Sequence, residues 1–466
     1  MVTQKAKRLG RGAAGLLALL GAVPAPALAA TPWTLHDALD LPAALTVKLG
    51  IRARLEGLEG QFRPTGPESD HFVSFRTDLL VDYDDGRIVA GGELRDARGY
   101  GEKHDSTVGV SDINALEPLQ AYLGLGLKGV GGQGAGGRAI AGRYTLETGA
   151  GRLIGRPDFS NSINSYTGVL LDWHSAAKDR LVLFANEPSS RLPNDSTGIH
   201  DNRITVDAAH RSLRFFGGDV TKAALLPHLL GEAYYYRLAE RDRPDLPTRN
   251  RHLATYGARL QLAPRAGHPD FEFEFANQVG RARATTAITD RTDLPVRARL
   301  VHGELGWRLP IRTVARLSLH GDLATGDDRD PHRYTRFDTL FGASRADFGP
   351  TGLYGAVTRS NLRSVGLRAE TTPTPRLDMF AMTRLLWLDQ PTDAFAATAV
   401  RDRTGRSGRF AGTQVEGRVR YWLIAKQLKV DVGGAVLAKG RFLRDAPNAR
   451  ADGDSHYGFI DLALDI

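Results

Sequence analysis

An alternation with a period of two runs through most of this 466-residue chain and limits what it can fold into. In residues 412–424, Thr413, Val415, Val419, Tyr421 and Leu423 fall on one parity, and Gln414, Glu416, Arg418 and Arg420 on the other. The next segment sets Val430, Val432 and Val436 against Lys429, Asp431, Lys439 and Arg441. The last sets Ile460, Leu462, Leu464 and Ile466 against Asp461 and Asp465. Successive side chains on opposite faces are the mark of a strand. Each strand therefore has one apolar and one charged face, and the fold follows from where the apolar face goes.

The N-terminus narrows the choice. Lys5, Lys7, Arg8 and Arg11 precede an uncharged apolar run at 16–23, followed by Pro24, Pro26 and Ala27-Leu28-Ala29. This is the pattern of a secretory signal peptide over residues 1–29, with cleavage expected near Ala29/Ala30. The run falls short of the roughly 20 residues that a membrane helix needs. Removing the segment lowers the formal charge from +8 to +4, so the basic balance does not argue for a nucleic-acid partner, and none is expected. With no cysteine, the chain has neither a disulfide framework nor a thiolate metal site. No later run is apolar over the length of a membrane helix, so any crossing is made by strands.

Strand segments are expected near residues 44–56, 71–83, 87–97, 115–127, 137–147, 166–175, 180–187, 211–221, 229–240, 252–263, 270–282, 297–309, 314–326, 361–372, 377–389, 412–424, 428–442 and 456–466. Their number, about 18, is even, and their lengths suit tilted membrane strands. Connections at 84–86, 176–179, 310–313, 373–376 and 425–427 are tight, whereas 57–70, 98–114, 188–210, 283–296, 327–360 and 390–411 are long. A soluble β-sandwich has no reason to alternate in this way. The expected architecture is all-β: a single antiparallel transmembrane β-barrel over 44–466, with short periplasmic turns and long extracellular loops. Residues 30–43 read as a periplasmic lead-in, with no linker and no second domain. The expected location is the outer membrane of a Gram-negative cell, as a monomer in contact with outer-membrane lipid.

If one face meets lipid, the other lines the lumen, because a charge at bilayer depth costs a few kcal/mol. The period of two places Arg52, Arg54, Arg76, Arg95, Arg143, Arg259, Arg308, Arg316, Arg368, Arg418 and Arg420 inside, with Glu416 among them. Eighteen strands enclose an aqueous channel. A guanidinium fork matches a carboxylate bidentately, so such a ladder suits the passage of a carboxylate-bearing polymer. The interspersed acids would keep the solute from binding too tightly to leave. An alternative is that arginines and acids pair only with one another and stiffen the wall. At the level of function, the alternative is an anion-selective porin for small organic acids or oligosaccharides.

The chain also resembles the bacterial alginate export porin family. The resemblance begins at Arg52-Ala-Arg-Leu-Glu-Gly-Leu-Glu-Gly-Gln-Phe-Arg63 and continues with Gly142-Arg143, Arg152-Leu-Ile-Gly155 and Asn161 before Tyr166-Thr-Gly-Val-Leu-Leu171. It returns at Phe337-Asp-Thr-Leu-Phe-Gly342, Tyr354-Gly355, Asn361-Leu362 and Gly412-Thr-Gln-Val-Glu-Gly417. It implies an eighteen-stranded outer-membrane barrel that passes an anionic uronate polysaccharide through an arginine-lined lumen, with Arg52, Arg54, Arg76, Arg143, Arg418 and Glu416 as the positions carried over. A periplasmic secretion scaffold is an expected partner. Tyr166-Thr167-Gly168 and the terminal Ile466 depart from the family pattern, and 425–427 is too short for a periplasmic plug. Any gate is therefore expected in the loop at 98–114 or at 327–360.

Enzymatic motifs are missing. There is no Gly-x-Ser-x-Gly, no His-Glu-x-x-His and no phosphate-binding glycine loop, and no catalysis and no cofactor are expected. His302 or His320 could serve as a base on a barrel strand, though a polar lumen position is the simpler reading. Asp327, Asp328 and Asp330, with Asp322, form an acidic cluster whose oxygens would suit calcium, against the simpler reading of a solvated loop. The glycine-rich run at 129–137 reads as a turn. Trp173, Trp307, Trp387, Trp422 and Tyr234, Tyr235 and Tyr236 are expected in the interfacial aromatic girdles, with Trp422 on the inward parity beside Arg420.

Overall fold

The computed structural model describes residues 33–243, 247–311, 313–450 and 453–466; the expected signal peptide lies outside them. Within the lead-in, a single helical turn, α1 (Leu35–Ala38), is capped by the Thr34 side chain, which accepts from the Asp37 amide.

The strands follow in order as β1 (Leu45–Glu59), β2 (Ser69–Asp84), β3 (Ile88–Tyr100), β4 (Asn114–Gly126), β5 (Gly136–Tyr144), β6 (Tyr166–His174) and β7 (Arg180–Ser190). A two-residue strand, β8 (Ala208–Ala209), pairs with the end of β7 in a separate sheet. The barrel resumes with β9 (Leu213–Leu226), β10 (Leu229–Glu240), β11 (His252–Leu262), β12 (Pro269–Ala282), β13 (Leu294–Arg308) and β14 (Val314–Ala324). It ends with β15 (Leu362–Thr374), β16 (Leu377–Trp387), β17 (Phe410–Ile424), β18 (Leu428–Lys439) and β19 (Ser455–Asp465). Without β8, these are the eighteen expected segments. Each pairs antiparallel with the next, and β1 pairs with β19 from Gly50↔Asp465 to Glu59↔His456, which closes the barrel. Closure leaves no sheet edge to face hydrocarbon with unpaired N–H and C=O groups.

The side chains invert the rule for soluble proteins. Ile51 and Leu55 on β1 are about half exposed, whereas Arg52, Arg54 and Glu56 between them are buried. The same contrast sets Leu317 and Leu319 on β14 against Ser318 and His320. Apolar groups face outward and charges inward, as lipid requires. In β4 the alternation slips by one: Glu93 pairs with Gln120 but Leu94 with Pro118, so Leu119 is skipped and Glu117 joins the face of Arg95.

The tight connections gather at one end, where the Trp33 amide donates to the Gln427 side chain at 3.1 Å. The long ones gather at the other. Beyond the six expected, the chain makes long connections at 145–165, 241–251 and 440–454.

Two long loops, 145–165 and 325–361, fold into the barrel and join each other. Ile154 and Phe341 form a parallel bridge, with the Gly155 amide donating to the Phe341 carbonyl at 3.1 Å and the Phe341 amide to the Leu153 carbonyl at 3.0 Å. The apolar core therefore lies inside the barrel, between loop and wall: Phe341 packs on Tyr166 and Phe215, and Tyr354 on Phe62. Tyr234 and Tyr236 belong to this interior, with rings stacked at 5.1 Å and hydroxyls bonded to Glu274 and Thr148. They are not girdle residues, whereas Tyr235 between them and Trp307 face outward. Loop 325–361 carries a one-turn helix, α2 (Arg345–Phe348). Its Asp347 accepts from Arg152 at 2.9 Å and from Arg359, whose other nitrogen donates to the Ala343 carbonyl at 2.6 Å. Burial pushes the Asp347 carboxyl up, but Arg152 and Arg359 outweigh it and hold the group well below the usual carboxylate range. Gly349 and Gly352, at φ of 95° and 70°, let the loop lie flat on the wall, since a Cβ at either would strike Glu416 or Glu56.

Two outcomes test this packing. Leu367→Arg puts a charge on the lipid side of β15 and should cost about 2–4 kcal/mol in urea unfolding of the lipid-reconstituted barrel, whereas Arg368 beside it already carries a charge on the lumen side. Arg359→Ala removes one of the two cations on buried Asp347 and should destabilise loop 325–361 by about 3 kcal/mol. The readout is tryptic cleavage after Arg345 in an otherwise intact barrel, to which the unaltered protein should be resistant.

Candidate functional site

The inward faces of β15 to β19, β1 and β2 form one wall of a cavity of about 420 Å³, and the loops 145–165 and 325–361 close the other side. Cations dominate the lining. Arg52, Arg54, Arg76, Arg156, Arg345, Arg368, Arg418, Arg420 and Lys429 face Glu147, Asp158, Asp431, Asp461 and Asp465.

Strand register explains the clustering. Arg52 and Arg76 stand directly opposite each other on β1 and β2, a like-charge pairing that destabilises an isolated sheet. Loop 145–165 relieves it: the Asp158 carbonyl accepts from Arg52 at 2.7 Å and from Arg76 at 2.8 Å, and the Asp158 carboxylate accepts from Arg76 at 3.1 Å. Arg52 also donates to the Asn161 side chain. Across the seam, Arg54 donates to Asp461 at 2.6 Å. Arg420 forks onto Asp431, both bonds at 2.6 Å, and Arg418 donates to Asp378.

Aromatic rings hold several of these cations by their flat faces. The Phe159 ring lies between Arg54 at 3.7 Å and Arg345 at 4.7 Å, and Phe380 lies under Arg368 at 3.9 Å. Trp422 sits 5.9 Å from Arg420 and 5.5 Å from Lys429, so it belongs to the lumen wall. Stacking fixes a guanidinium while leaving its N–H edge available to an anion.

Of the twelve positions singled out from the sequence, Arg52, Arg54, Arg76, Arg368, Arg418 and Arg420 line this cavity. Arg95 bonds Asp78 and the Asn161 carbonyl, behind the loop. Arg259 pairs with Glu232 and Glu272, and Arg316 with Asp270, Glu304 and Glu370, so both brace the opposite wall. Arg308 stands in register with Arg316 near the short-turn end. Glu416 lies buried under loop 325–361, 3.6 Å from Arg345. Arg143 stands in register with exposed Ala121 and Thr167, and its guanidinium bonds Ser165 and buried Glu117, outside the cavity lining. Gly142 before it has a φ of 131°, a kink that an alternation count cannot register.

Arg156 and Arg345 come from the two inward loops, where no periodicity marks them, whereas Lys429 sits on the charged parity of β18. The loop at 101–113 does not border the cavity; it supports loop 145–165 from behind through the Asn161 amide on the Asp112 carbonyl and the Ser162 amide on Ser111. The acidic cluster at 327–330 is answered by Arg333, 2.6 Å from Asp328 and 3.3 Å from Asp330.

The fold matches solved outer-membrane porins. OccK3 (OpdO) of Pseudomonas aeruginosa superposes with a TM-score of 0.55 at 14% identity, covering 92% of this chain and 97% of that one. OccAB1 of Acinetobacter baumannii gives 0.56 at 10% identity, covering 91% and 97%. OccK2 (OpdF) of P. aeruginosa, in complex with glucuronate, gives 0.53 at 14%, covering 91% and 99%. No curated protein matches the sequence. The sequence profile for alginate export matches residues 44–455, nearly the whole of the barrel, and the chain belongs to the alginate export family.

Proposed function

We propose that this barrel is an outer-membrane pore that passes an anionic, uronate-type polysaccharide outward through the cation-rich cavity. The observation that carries the reading is the excess of cations, nine against five carboxylates, around one cavity whose strand wall spans the seam and whose other side is the two inward loops. Such an excess lowers the electrostatic barrier for a polyanion, while Asp158, Asp431 and Asp461 compete for the same guanidinium groups and keep each contact weak enough to release. Rows of stacked arginines suit a chain of carboxylates better than one deep pocket would. The long loops would then face outside, and the short-turn end, with Trp33 held on Gln427, would face any periplasmic scaffold that delivers the polymer.

A second reading is a pore for small organic anions. It is favoured by the closure of the cavity by two loops, which leaves room for a short acid more readily than for a polymer. The glucuronate bound to OccK2, on a similar fold, agrees with that size.

Planar-bilayer conductance separates the two. Anion-selective current should be blocked by polymannuronate with a potency that rises with chain length, while a neutral glucan has no effect. Arg52→Ala/Arg418→Ala should weaken block by roughly 10-fold or more, since each charged contact is worth about 1.5–3 kcal/mol. Block by monomers alone, with no dependence on length, would favour the small-anion pore. Replacing 156–160 by a Gly-Ser link should raise conductance several-fold, whereas shortening 103–107 should change it little. Equal effects would mean that loop 145–165 is not the constriction.

A further inference from the structure

On the wall opposite the cation-rich stretch, β13 and β14 bring His302, Glu304 and His320 together on the lumen face. One ligand atom from each lies within 4.8 Å of the others. His302 pairs with Asp322 and Glu304 with His320 in the strand register, so the cluster is built into the ladder.

We infer that these three side chains form a binding site for a divalent transition-metal ion of the zinc type. Two buried ring nitrogens, His302 Nε2 and His320 Nδ1, have no hydrogen-bond partner, and His302 and His320 are 1% and 7% exposed. A buried polar atom left unpaired is costly and calls for a ligand. The other nitrogen of each ring is held: His302 Nδ1 lies 2.7 Å from Asp322, and His320 Nε2 lies 2.9 Å from the Ser318 hydroxyl. The Asp322 carboxylate only accepts, so His302 carries its proton on Nδ1 and keeps a lone pair on Nε2. Orientation of a metal-ligating histidine by a carboxylate or hydroxyl on its far nitrogen is the usual outer-shell arrangement.

The distances fit. Around a tetrahedral zinc with bonds of about 2.1 Å, ligand atoms stand about 3.4 Å apart, and His320 Nδ1 is 3.5 Å from Glu304 Oε2. Two imidazoles and one carboxylate favour zinc and its neighbours over calcium, which prefers oxygen. Glu304 keeps that oxygen free because Arg316 holds Oε1. Ser318, His320 and Glu304 also follow the order of a hydrolytic relay. That reading needs the opposite tautomer on His320 and an open nucleophile, and Ser318 is 3% exposed. It also leaves His302 Nε2 unexplained. A bound ion would clamp β13 to β14 below the point where Arg384 ties Asp322 to the Asp347 carbonyl of loop 325–361.

The test uses tag-free, refolded barrel equilibrated with zinc, desalted and analysed for metal. One zinc per chain is expected, lost in His302→Gln and in His320→Gln and retained in His456→Gln, with folding checked by heat-dependent gel mobility. Cobalt substitution should give the visible spectrum of a four-coordinate site in the parent and not in the two variants. Zinc should also raise the melting temperature of the parent alone. Absence of stoichiometric zinc from the parent, or equal zinc in both variants, would overturn the assignment.

Discussion

Everything in this molecule depends on the requirement that no backbone N–H or C=O face hydrocarbon unpaired. The sheet meets it by closing on itself, and closure turns one face of every strand to lipid and the other to a confined interior. The charged residues on that inner face cannot be left isolated. The barrel answers with ion pairs along the wall and with two loops that reach in to bond what the strands leave unpaired. Asp158 on Arg52 and Arg76 and the two guanidinium groups on Asp347 are two products of one electrostatic demand.

The interior is correspondingly divided. One side, around Tyr166, Phe215 and Phe341, is packed as a soluble core and fixes the loops. The other, across the seam, stays open and cationic. Loop 145–165 joins the two, since Ile154 pairs with Phe341 on the packed side while Asp158 and Phe159 border the cavity. Anchoring and the closing of the cavity are therefore properties of the same short segment.

The strand pattern was legible because lipid punishes a misplaced charge, so parity alone located eighteen strands and the inward arginines at 52, 54, 76, 368, 418 and 420. Parity failed where the backbone departs from regular pleat. The skipped Leu119 in β4 brings Glu117 onto the face of Arg95, and Arg143, after the kink at Gly142, bonds that Glu117 instead of lining the cavity. Tyr234 and Tyr236 read as interfacial by residue type, but their hydroxyls are spoken for by Glu274 and Thr148 inside. Arg156, Arg345 and Asp158 had no local signal, because a loop takes its direction from what it lands on. The meeting of His302, Glu304 and His320 was equally hidden, since it exists only across two strands in register.

The pair Arg54 and Asp461 has a further implication. The two residues are 407 positions apart and meet only across β1 and β19, yet both line the cavity. Arg54 has Glu56 on its own strand at 3.7 Å and gains Asp461 only when the final strand docks. The seam pair is thus completed in the same step that removes the last free edges, and non-local contacts of this kind are the slow ones to form.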